Sequence, residues 1–284
     1  MEFKLVSVDD FSLSKYKVLF DLCFPKSKQH TIQYLSWLYK ENPEGYALGY
    51  DAFDGRKLAA HYACIPTIIS LNGKLTKSLL SLNTATHPKY RKKGLFIKLA
   101  ELTYELASKS GFECVFGFAN NNSTYGFVKK LGFQMVSSLD AYIGFGRFRR
   151  FNWDAIQNYS VFHRHWTEES LHWRMANPSN PCYIQCVSNR IFAVFSSAWK
   201  TGIIAYTENR FNFTIEATKR INPFLPRVFV GILPQPLKNF NMFIPIPNFL
   251  RPSPLNFIFK YFIEERHQID NESVFVSYID FDAF

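Results

Sequence analysis

A strand that runs into a basic turn and then into an amphipathic helix constrains the fold more than any other feature of this sequence. Residues 75–86 predict the strand, and the turn His87–Gly94 reads HPKYRKKG. Four leucines at positions 95, 99, 102 and 106 then recur at spacings that place them on one face of a helix. A strand that leads directly into such a helix is typical of α/β proteins.

The turn before this helix has the chemistry of an anion site. The first backbone N–H groups of a helix lack partners inside the helix, and the helix dipole leaves that end partly positive. Gly94 lets the backbone close on a ligand, and Arg91, Lys92 and Lys93 add positive charge. We therefore expect a site for a pyrophosphate group, with a basic turn that only caps a surface helix as the alternative.

The first 150 residues alternate between helical and extended patterns. Turn signals at Asn42–Gly45, Asp54-Gly55 and Asn72-Gly73 separate the segments, and the last of these predicts a tight hairpin. The Asn-rich run at residues 120–123 predicts a helix N-terminus. The predicted strands are 3–8, 46–53, 58–69, 75–86 and 114–119, and the predicted helices are 11–22, 31–39, 95–110 and 120–131.

Composition excludes several classes of protein. The 284 residues are 47% hydrophobic and include 30 Phe, which indicates a globular chain of about two domains. No apolar run reaches the roughly 20 residues of a membrane-spanning helix, and the N-terminal residues lack the pattern of a secretory signal. Five Cys without the spacing of a disulfide framework favour reduced thiols. We expect a cytoplasmic protein.

The net charge of +10 indicates an anionic partner. Nucleic acid, a membrane surface and a phosphorylated small molecule all fit that charge. The basic residues are spread along the chain, whereas a dedicated nucleic-acid binder gathers them into one stripe. The sequence therefore favours a small-molecule partner over nucleic acid or a membrane, and it leaves the oligomeric state open.

The second half of the chain has a different pattern, because prolines recur from residue 223 to residue 254 and interrupt long helices. We predict domains at residues 1–150 and 151–284. Trp37, Asn42-Pro43 and Tyr46 have counterparts in the second half, which indicates either a duplicated unit that lost its loop chemistry or a chance match. These counterparts are Trp173, Asn177-Pro178 and Tyr183.

Residues Leu75–Phe133 resemble the acetyl-coenzyme A (acetyl-CoA) region of the GNAT acyltransferases. The family motif, Arg/Gln-x-x-Gly-x-Gly/Ala after a strand, reads here Arg91-x-x-Gly94-Leu95-Phe96, with Phe96 departing at the last position. A strand, an Asn-rich turn and a helix ending in Lys-Leu-Gly-Phe follow at the family's spacing. The resemblance implies a mixed α/β fold, with a GNAT-like central sheet and flanking helices, and a second, smaller GNAT-like unit.

The resemblance also implies where acetyl-CoA would bind. In the family the fourth and fifth strands splay apart, and the cosubstrate lies in the opening. The backbone from Asn83 to His87 would contact the pantetheine arm and the thioester carbonyl, and Asn120 and Asn122 would hold the arm, with helix capping as their alternative role. The implied cosubstrate-binding residues are Ala85, Thr86, His87, Arg91, Lys92, Lys93, Gly94, Leu95, Phe96, Asn120 and Asn122.

The resemblance leaves the general base without an obvious residue. Family members often carry Glu or Asp five or six residues before the motif's Pro, where this chain has Asn83 and Leu82. The base must then be water or a group from elsewhere, such as His61 on the neighbouring strand or His87. A packed histidine without a catalytic role is the alternative for His61.

The general acid is also displaced from its family position. The frequent family acid is a Tyr four residues before the Gly of Leu-Gly-Phe, and that position is Val128 here. Tyr125 lies one turn earlier on the same helix and is the candidate acid, with a core tyrosine as the alternative.

In the second half, His163, His165 and His172 have no Cys or carboxylate partners at metal-ligand spacing, so we expect no metal.

The resemblance implies an N-acyltransferase that moves an acetyl group from acetyl-CoA to an amine. The two-unit layout looks like tandem GNAT proteins among bacterial surface-polysaccharide enzymes, which implies an amino sugar on a nucleotide carrier as one acceptor class. The alternatives are a non-catalytic binding or regulatory protein with a GNAT fold, and a Fem-like aminoacyl transferase that uses charged tRNA.

Overall fold

The computed structural model of this chain describes residues 1–148, 152–188, 190–198, 202–234, 242–251, 254–263 and 268–281. The chain forms two units, each drawn from both halves of the sequence. The first unit consists of Met1–Ile68, Thr76–Met135 and Ile258–His267, and the second of Ile69–Leu75, Val136–Phe257 and Gln268–Phe284. The sequence-based domains are continuous segments instead, and that division stays a prediction.

Helices and strands alternate in the first half of the chain, and short strands dominate the second half. The helices are α1 (Asp10–Cys23), α2 (Ile32–Tyr39), α3 (Leu95–Lys109), α4 (Asn121–Tyr125), α5 (Trp153–Tyr159) and α6 (Glu168–Met175), and residues Gly126–Lys130 continue α4 as a π-helical turn. The strands are β1 (Glu2–Leu5), β2 (Leu48–Asp54), β3 (Lys57–Leu71), β4 (Lys74–Thr86), β5 (Cys114–Ala119), β6 (Gln134–Ser138), β7 (Asp140–Gly144), β8 (Phe162–Arg164), β9 (Tyr183–Ser188), β10 (Ile191–Ser197), β11 (Ile204–Arg210), β12 (Arg227–Ile232), β13 (Phe243–Pro245), β14 (Asn256–Tyr261) and β15 (Val276–Ser277).

Local side chains fix where several of these elements begin and turn. The Asp9 carboxylate caps α1 by accepting from the Ser12 amide, and the Thr31 hydroxyl caps α2 in the same way. Asn72 and Gly73 have φ angles of 53° and 76°, as a two-residue hairpin between twisted strands requires. These signals are visible in the sequence, and the predicted elements of the first half are confirmed.

The first sheet has the strand order β1-β2-β3-β4-β5-β14-β6, with β8 paired to the far end of β3. It is mixed, because β4 and β5 are parallel while β1, β2 and β3 pair antiparallel. Helix α3 buries Leu95, Leu99 and Tyr104 in the core of the first unit, whereas Leu102 and Leu106 are only half-buried. The predicted mixed sheet with helices packed on it is confirmed.

The second sheet has the strand order β13-β7-β12-β11-β10-β9, and β15 also pairs with β12. Strands β9, β10 and β11 form an antiparallel meander, and β11 then runs parallel to β12. The second unit therefore contains, like the first, a meander followed by a parallel pair. None of the described helices is long and apolar enough to cross a membrane.

A short segment of chain lies between the two parallel strands of the second sheet. Strands β11 and β12 pair at Ile204–Arg227 and Ala205–Val228, and β15 then pairs with β12 at Gly231 and Ile232. Because β7 occupies the opposite edge of β12, β15 must lie on the edge that faces β11. The turn Tyr278–Asp280 contacts both strands. We call residues 276–280 the wedge segment.

Candidate active site

The ends of β4 and β5 separate and open a cleft in the first unit. Their parallel register runs from Ser78–Cys114 to Ser81–Gly117, while β4 continues to Thr86 and β5 to Ala119. The cleft has a volume of about 600 Å³. Its lining from the two strands and the following turn comprises Ser81, Leu82, Asn83, Thr84, Gly117, Phe118, Ala119, Asn120, Asn122 and Ser123.

Asn83 bends β4 at the mouth of this cleft. Its φ of 47° lies in the left-handed region, which is uncommon for a residue other than glycine and is costly inside a strand. Its Nδ2 is buried and has no hydrogen-bond partner of normal geometry among the described residues. Burial raises the pKa of Tyr39 well above its usual range, and the contact that opposes this rise comes from the Asn83 side chain. Strained residues cluster at functional sites, so Asn83 favours this cleft as the candidate site.

The basic turn before α3 exposes helical amide groups. Gly94 has a φ of 73° and supplies no side-chain cap, and the first intrahelical bond runs from the Lys98 amide to the Gly94 carbonyl. The amides of residues 95–97 therefore precede the first helical hydrogen bond. Arg91, Lys92 and Lys93 are exposed beside them. This end of α3 combines free donors with positive charge.

Phe96, which departs from the family motif, has a matching space beside it. Its ring lines the cleft and meets the Phe127 ring edge-on at a centroid distance of 5.1 Å. A Cβ atom placed on Gly126 would lie 2.9 Å from the Phe96 ring. The larger residue in the motif is thus accommodated because position 126 has no side chain.

His61 lies below the cleft in a buried chain of hydrogen bonds. Its Nδ1 is 2.6 Å from Asp51 Oδ1 and its Nε2 is 2.9 Å from the Tyr39 hydroxyl, so both ring nitrogens have partners. The Tyr16 hydroxyl donates to the other Asp51 oxygen at 2.8 Å. His61 is fully buried and does not line the cleft. The geometry is that of a packed histidine, and its catalytic role stays a prediction.

Sequence reasoning missed the partners of His61, although one of them lies in the predicted hairpin. Asp51 and His61 are directly opposite in β2 and β3, so they are cross-strand neighbours. The register shifts by one residue between Ala52 and Phe53, so counting back from the turn would pair Asp51 with Ala60 instead. Tyr16 and Tyr39 come from α1 and α2, and no spacing in the sequence links them to the hairpin.

The residues between the cleft and the basic turn are buried or form hydrogen bonds that involve backbone groups. Ala85 is buried, and the Thr86 carbonyl accepts from Cys23 Sγ and from Arg91 Nε, each at 3.4 Å. His87 Nδ1 accepts from the Lys89 amide at 3.1 Å. Burial and then the charge of nearby lysines lower the pKa of His87. Ala85, Thr86 and His87 lie outside the lining of the cleft.

The helix on the other side of the cleft places its predicted residues differently. Asn120 caps α4, because its Oδ1 accepts from the Asn122 and Ser123 amides, and both Asn120 and Asn122 also line the cleft. Tyr125 is 64% exposed and is not part of the lining. The neighbouring Gly126 lines the cleft instead. The assignment of Tyr125 as the acid therefore rests on the sequence alone.

The wall that faces the strands comes from the segment between α1 and α2, which carries no motif. It contributes Phe24, Ser27 and His30. The His30 ring stacks on Phe20 at 4.6 Å and on Phe24 at 5.7 Å, and its Nδ1 is 3.4 Å from Ser27 Oγ. In the described part of the chain, no three His, Cys, Asp or Glu side chains are grouped so that they could hold a metal ion.

Comparison with known proteins agrees with this geometry. Residues 5–136 match the family model described as an acetyltransferase (GNAT) domain. The comparison with curated proteins gives no match. The basic turn, α4 and the cleft lining other than Ile258 therefore lie within the matched region.

Solved structures share the fold at low sequence identity. A GCN5-related N-acetyltransferase from Anabaena variabilis has 12% identity and a TM-score of 0.62, over 92% of this chain and 73% of that one. A probable N-acyltransferase from Enterococcus faecalis has 12% identity and a TM-score of 0.59 over the same shares. A GCN5-related N-acetyltransferase from Kribbella flavida has 11% identity and a TM-score of 0.61, over 92% and 72%. Residues 5–136 thus carry the sequence pattern of a GNAT acetyltransferase domain, on a fold that this chain shares with GNAT N-acetyltransferases.

Proposed function

We propose that the first unit transfers an acetyl group from acetyl-CoA to an amine acceptor. The observation that carries this proposal is the cleft between the separated ends of β4 and β5, with the bent Asn83 at its mouth. Separated parallel strands leave backbone N–H and C=O groups without ladder partners. An extended arm with amide groups, such as pantetheine, can pair with those edges as an added strand does.

The turn before α3 supports the same proposal. The amides of residues 95–97 and the side chains of Arg91, Lys92 and Lys93 suit a pyrophosphate, because an anion gains from both the free donors and the helix dipole. The bend at Asn83 directs backbone of β4 into the cleft, where N–H groups can stabilise an oxyanion on the thioester carbon. Asn120 and Asn122 line the cleft together with Phe96, which follows the basic turn.

The acceptor is a small amine within this proposal. The net charge of +10 suits an anionic acceptor, and an amino sugar on a nucleotide carrier fits both requirements. The cleft volume of about 600 Å³ leaves room for the reacting ends of two substrates. The segment between α1 and α2 contributes aromatic and polar side chains to its lining, which can contact the acceptor.

One observation favours a second candidate, a non-catalytic protein that binds acetyl-CoA. Asn83 occupies the position where the resemblance implies a carboxylate base, and Tyr125 is exposed outside the cleft. A chain that kept the binding groups and lost the acid and base would have this appearance. The two candidates share their ligand and differ only in turnover.

Two measurements separate these candidates. Isothermal titration with acetyl-CoA and with free CoA tests the binding site, and a thiol-release assay over simple amines, amino sugars and nucleotide-linked amino sugars tests transfer. Binding together with amine-dependent thiol release supports the transferase. Binding without release for any amine supports the binding protein, and the absence of acetyl-CoA binding overturns both.

A further inference from the structure

His30 is the one side chain in the lining of the cleft, among the described residues, that commonly titrates near neutral pH. The rest of the lining is aliphatic, aromatic, hydroxyl or amide in character, and contains no Asp, Glu, Lys, Cys or Tyr. Imidazole is the group whose ordinary titration falls between pH 5 and 8. His30 is therefore the candidate for a protein base among the described residues that line this cleft.

Contacts within the α1–α2 segment hold the His30 ring. Phe20 and Phe24 stack on it with interplanar angles of 25°, and Tyr34, the titratable side chain that meets the ring, approaches it edge-on at 6.1 Å. Ser27 Oγ is 3.4 Å from Nδ1. A hydroxyl next to one ring nitrogen favours a fixed tautomer and orients the other nitrogen. A histidine held in this way has the preorganisation that proton transfer needs.

The other two histidines of the first unit with a proposed role are engaged elsewhere. Both nitrogens of His61 have partners in the buried chain, and Nδ1 of His87 caps the Lys89 amide. Neither lines the cleft. The position where a carboxylate is implied by resemblance holds Asn83, whose amide cannot act as a base near neutral pH.

We propose that His30 is the general base that removes a proton from the ammonium group of the acceptor. This inference rests on the proposed acetyl transfer. Neutral His30 takes one proton from R–NH₃⁺ and becomes an imidazolium, which leaves R–NH₂. The amine nitrogen attacks the thioester carbon and the C–S bond then breaks. The second proton lost from nitrogen goes to the departing sulfur, so the products are the amide, CoA thiol and one proton on His30.

The test replaces His30 with Gln, which keeps a polar side chain of similar size, and with Ala. General base catalysis contributes about 100- to 10,000-fold, so we expect kcat/KM for the amine to fall at least 100-fold in both variants. The affinity for acetyl-CoA, measured by titration, should stay within a few-fold of wild type. Added imidazole should restore part of the activity of His30→Ala and none of His30→Gln, because only the smaller residue leaves room for it.

His172→Gln is the matched control, because His172 is exposed on α6 and has no place in the cleft. It should keep wild-type kcat/KM and show no response to imidazole. The pH dependence adds a second readout, since the acidic limb of kcat/KM should disappear in His30→Gln if His30 must be neutral to act.

The possible outcomes separate this inference from the proposed function. Wild-type protein that releases no thiol with any amine overturns the transferase itself. Active wild-type protein with an unchanged rate and pH profile in His30→Gln overturns the role of His30 and leaves the transferase standing. A fall in rate that imidazole does not relieve, together with an unchanged acidic limb, shows that His30 shapes the cleft and is not the base.

Discussion

At the residue scale, Gly94 is the position where the proposed anion site depends most on one backbone angle. Its φ of 73° is closed to proline, and its amide precedes the first turn of α3. We expect Gly94→Pro to abolish acetyl-CoA binding in isothermal titration. Retention of wild-type affinity would remove the turn from the proposed site.

Gly111 offers the matched control for this substitution. It follows the other end of α3, has a φ of 83°, and like Gly94 has no atom within 4 Å of a built Cβ. Gly111→Pro therefore imposes similar backbone strain on the same helix away from the cleft, and it also removes the hydrogen bond from the Gly111 amide to the Ser108 carbonyl. We expect it to lower the melting temperature at least as much as Gly94→Pro and to leave acetyl-CoA affinity within a few-fold of wild type.

Gly126 and Phe96 form a second residue-scale test, because the glycine provides space for the ring. A Cβ at position 126 would lie 2.9 Å from the Phe96 ring, so Gly126→Ala must displace it. Overpacking of this kind costs about 1–3 kcal/mol, offset by the better helix propensity of alanine. In a double-mutant cycle with Phe96→Ala, we expect Gly126→Ala to be more favourable when the ring is absent, by at least about 0.5 kcal/mol in urea unfolding. Additive free energies would show that the ring and the added methyl do not interfere.

At the element scale, the chain Asp51–His61–Tyr39 joins α2 to the β2–β3 hairpin inside the core. Tyr39→Phe removes the partner of His61 Nε2 and leaves that nitrogen buried and unpaired. An unsatisfied buried polar group costs about 1–3 kcal/mol, so the free energy of unfolding should fall by that amount. Urea unfolding of Tyr39→Phe, compared with the exposed Tyr159→Phe on α5, measures the difference. An unchanged midpoint would mean that the hydroxyl contributes nothing to the fold.

Helices α2 and α6 support the proposed duplication of a unit, because their ends are built alike. Each has eight residues, and each is preceded by a threonine N-cap, Thr31 or Thr167, whose hydroxyl accepts from the third amide of the helix. Each is followed by an Asn-Pro turn, in which the side-chain oxygen of Asn42 or Asn177 accepts from the amide two residues on. The tandem arrangement stays a proposal, since similar caps also arise independently.

The sequence predicted those helices and strands whose ends are set by nearby residues, such as helix caps and turn residues. The strand 114–119 and the Asn72-Gly73 hairpin were correct because periodicity and positive-φ residues act within a few positions. The role of His30 was not visible, because a histidine in an irregular segment becomes part of a cleft only through long-range packing. The same limit applies to β14, which enters the first sheet from more than 100 residues away.

At the scale of the whole molecule, β14 makes the first unit depend on distant sequence. It lies between β5 and β6, and Ile258 is buried in the same core cluster as Leu79 and Val115. We expect a chain that ends at residue 150 to expose apolar surface and aggregate in size-exclusion chromatography, since its sheet lacks this strand. A control in which residues 254–268 follow residue 150 through a flexible linker should be more soluble. A monomeric, fully folded truncation would contradict the assigned role of β14.

The stability of the molecule should also respond to acid through His163 in the second unit. Burial, followed by the charge of His165, lowers the pKa of His163 to about 4, against about 6.5 in an unfolded chain. Between these values the unfolded state binds the proton and the folded state does not. This group therefore contributes a loss of stability as pH falls from about 6.5 to 4, with a slope of at most about 1.4 kcal/mol per pH unit.

His163→Gln should remove that contribution. As the pH falls, the free energy of unfolding of wild type should therefore decrease more than that of the variant. His172→Gln, on an exposed position of α6, serves as the control and should follow wild type. Urea unfolding at several pH values across this range provides the measurement. Parallel pH curves for all three proteins would show that His163 does not titrate as its burial implies.

The wedge segment fills the space between the parallel strands of the second unit. Residues 276–280 occupy the gap beside β12 that, in the first unit, is the cleft between β4 and β5. Because the wedge is covalently attached, it competes at an effective concentration on the order of millimolar or more. A free acyl-CoA would have to displace it before binding there. If the first unit binds acyl-CoA as proposed, a saturated chain would therefore carry one acyl-CoA molecule, not two.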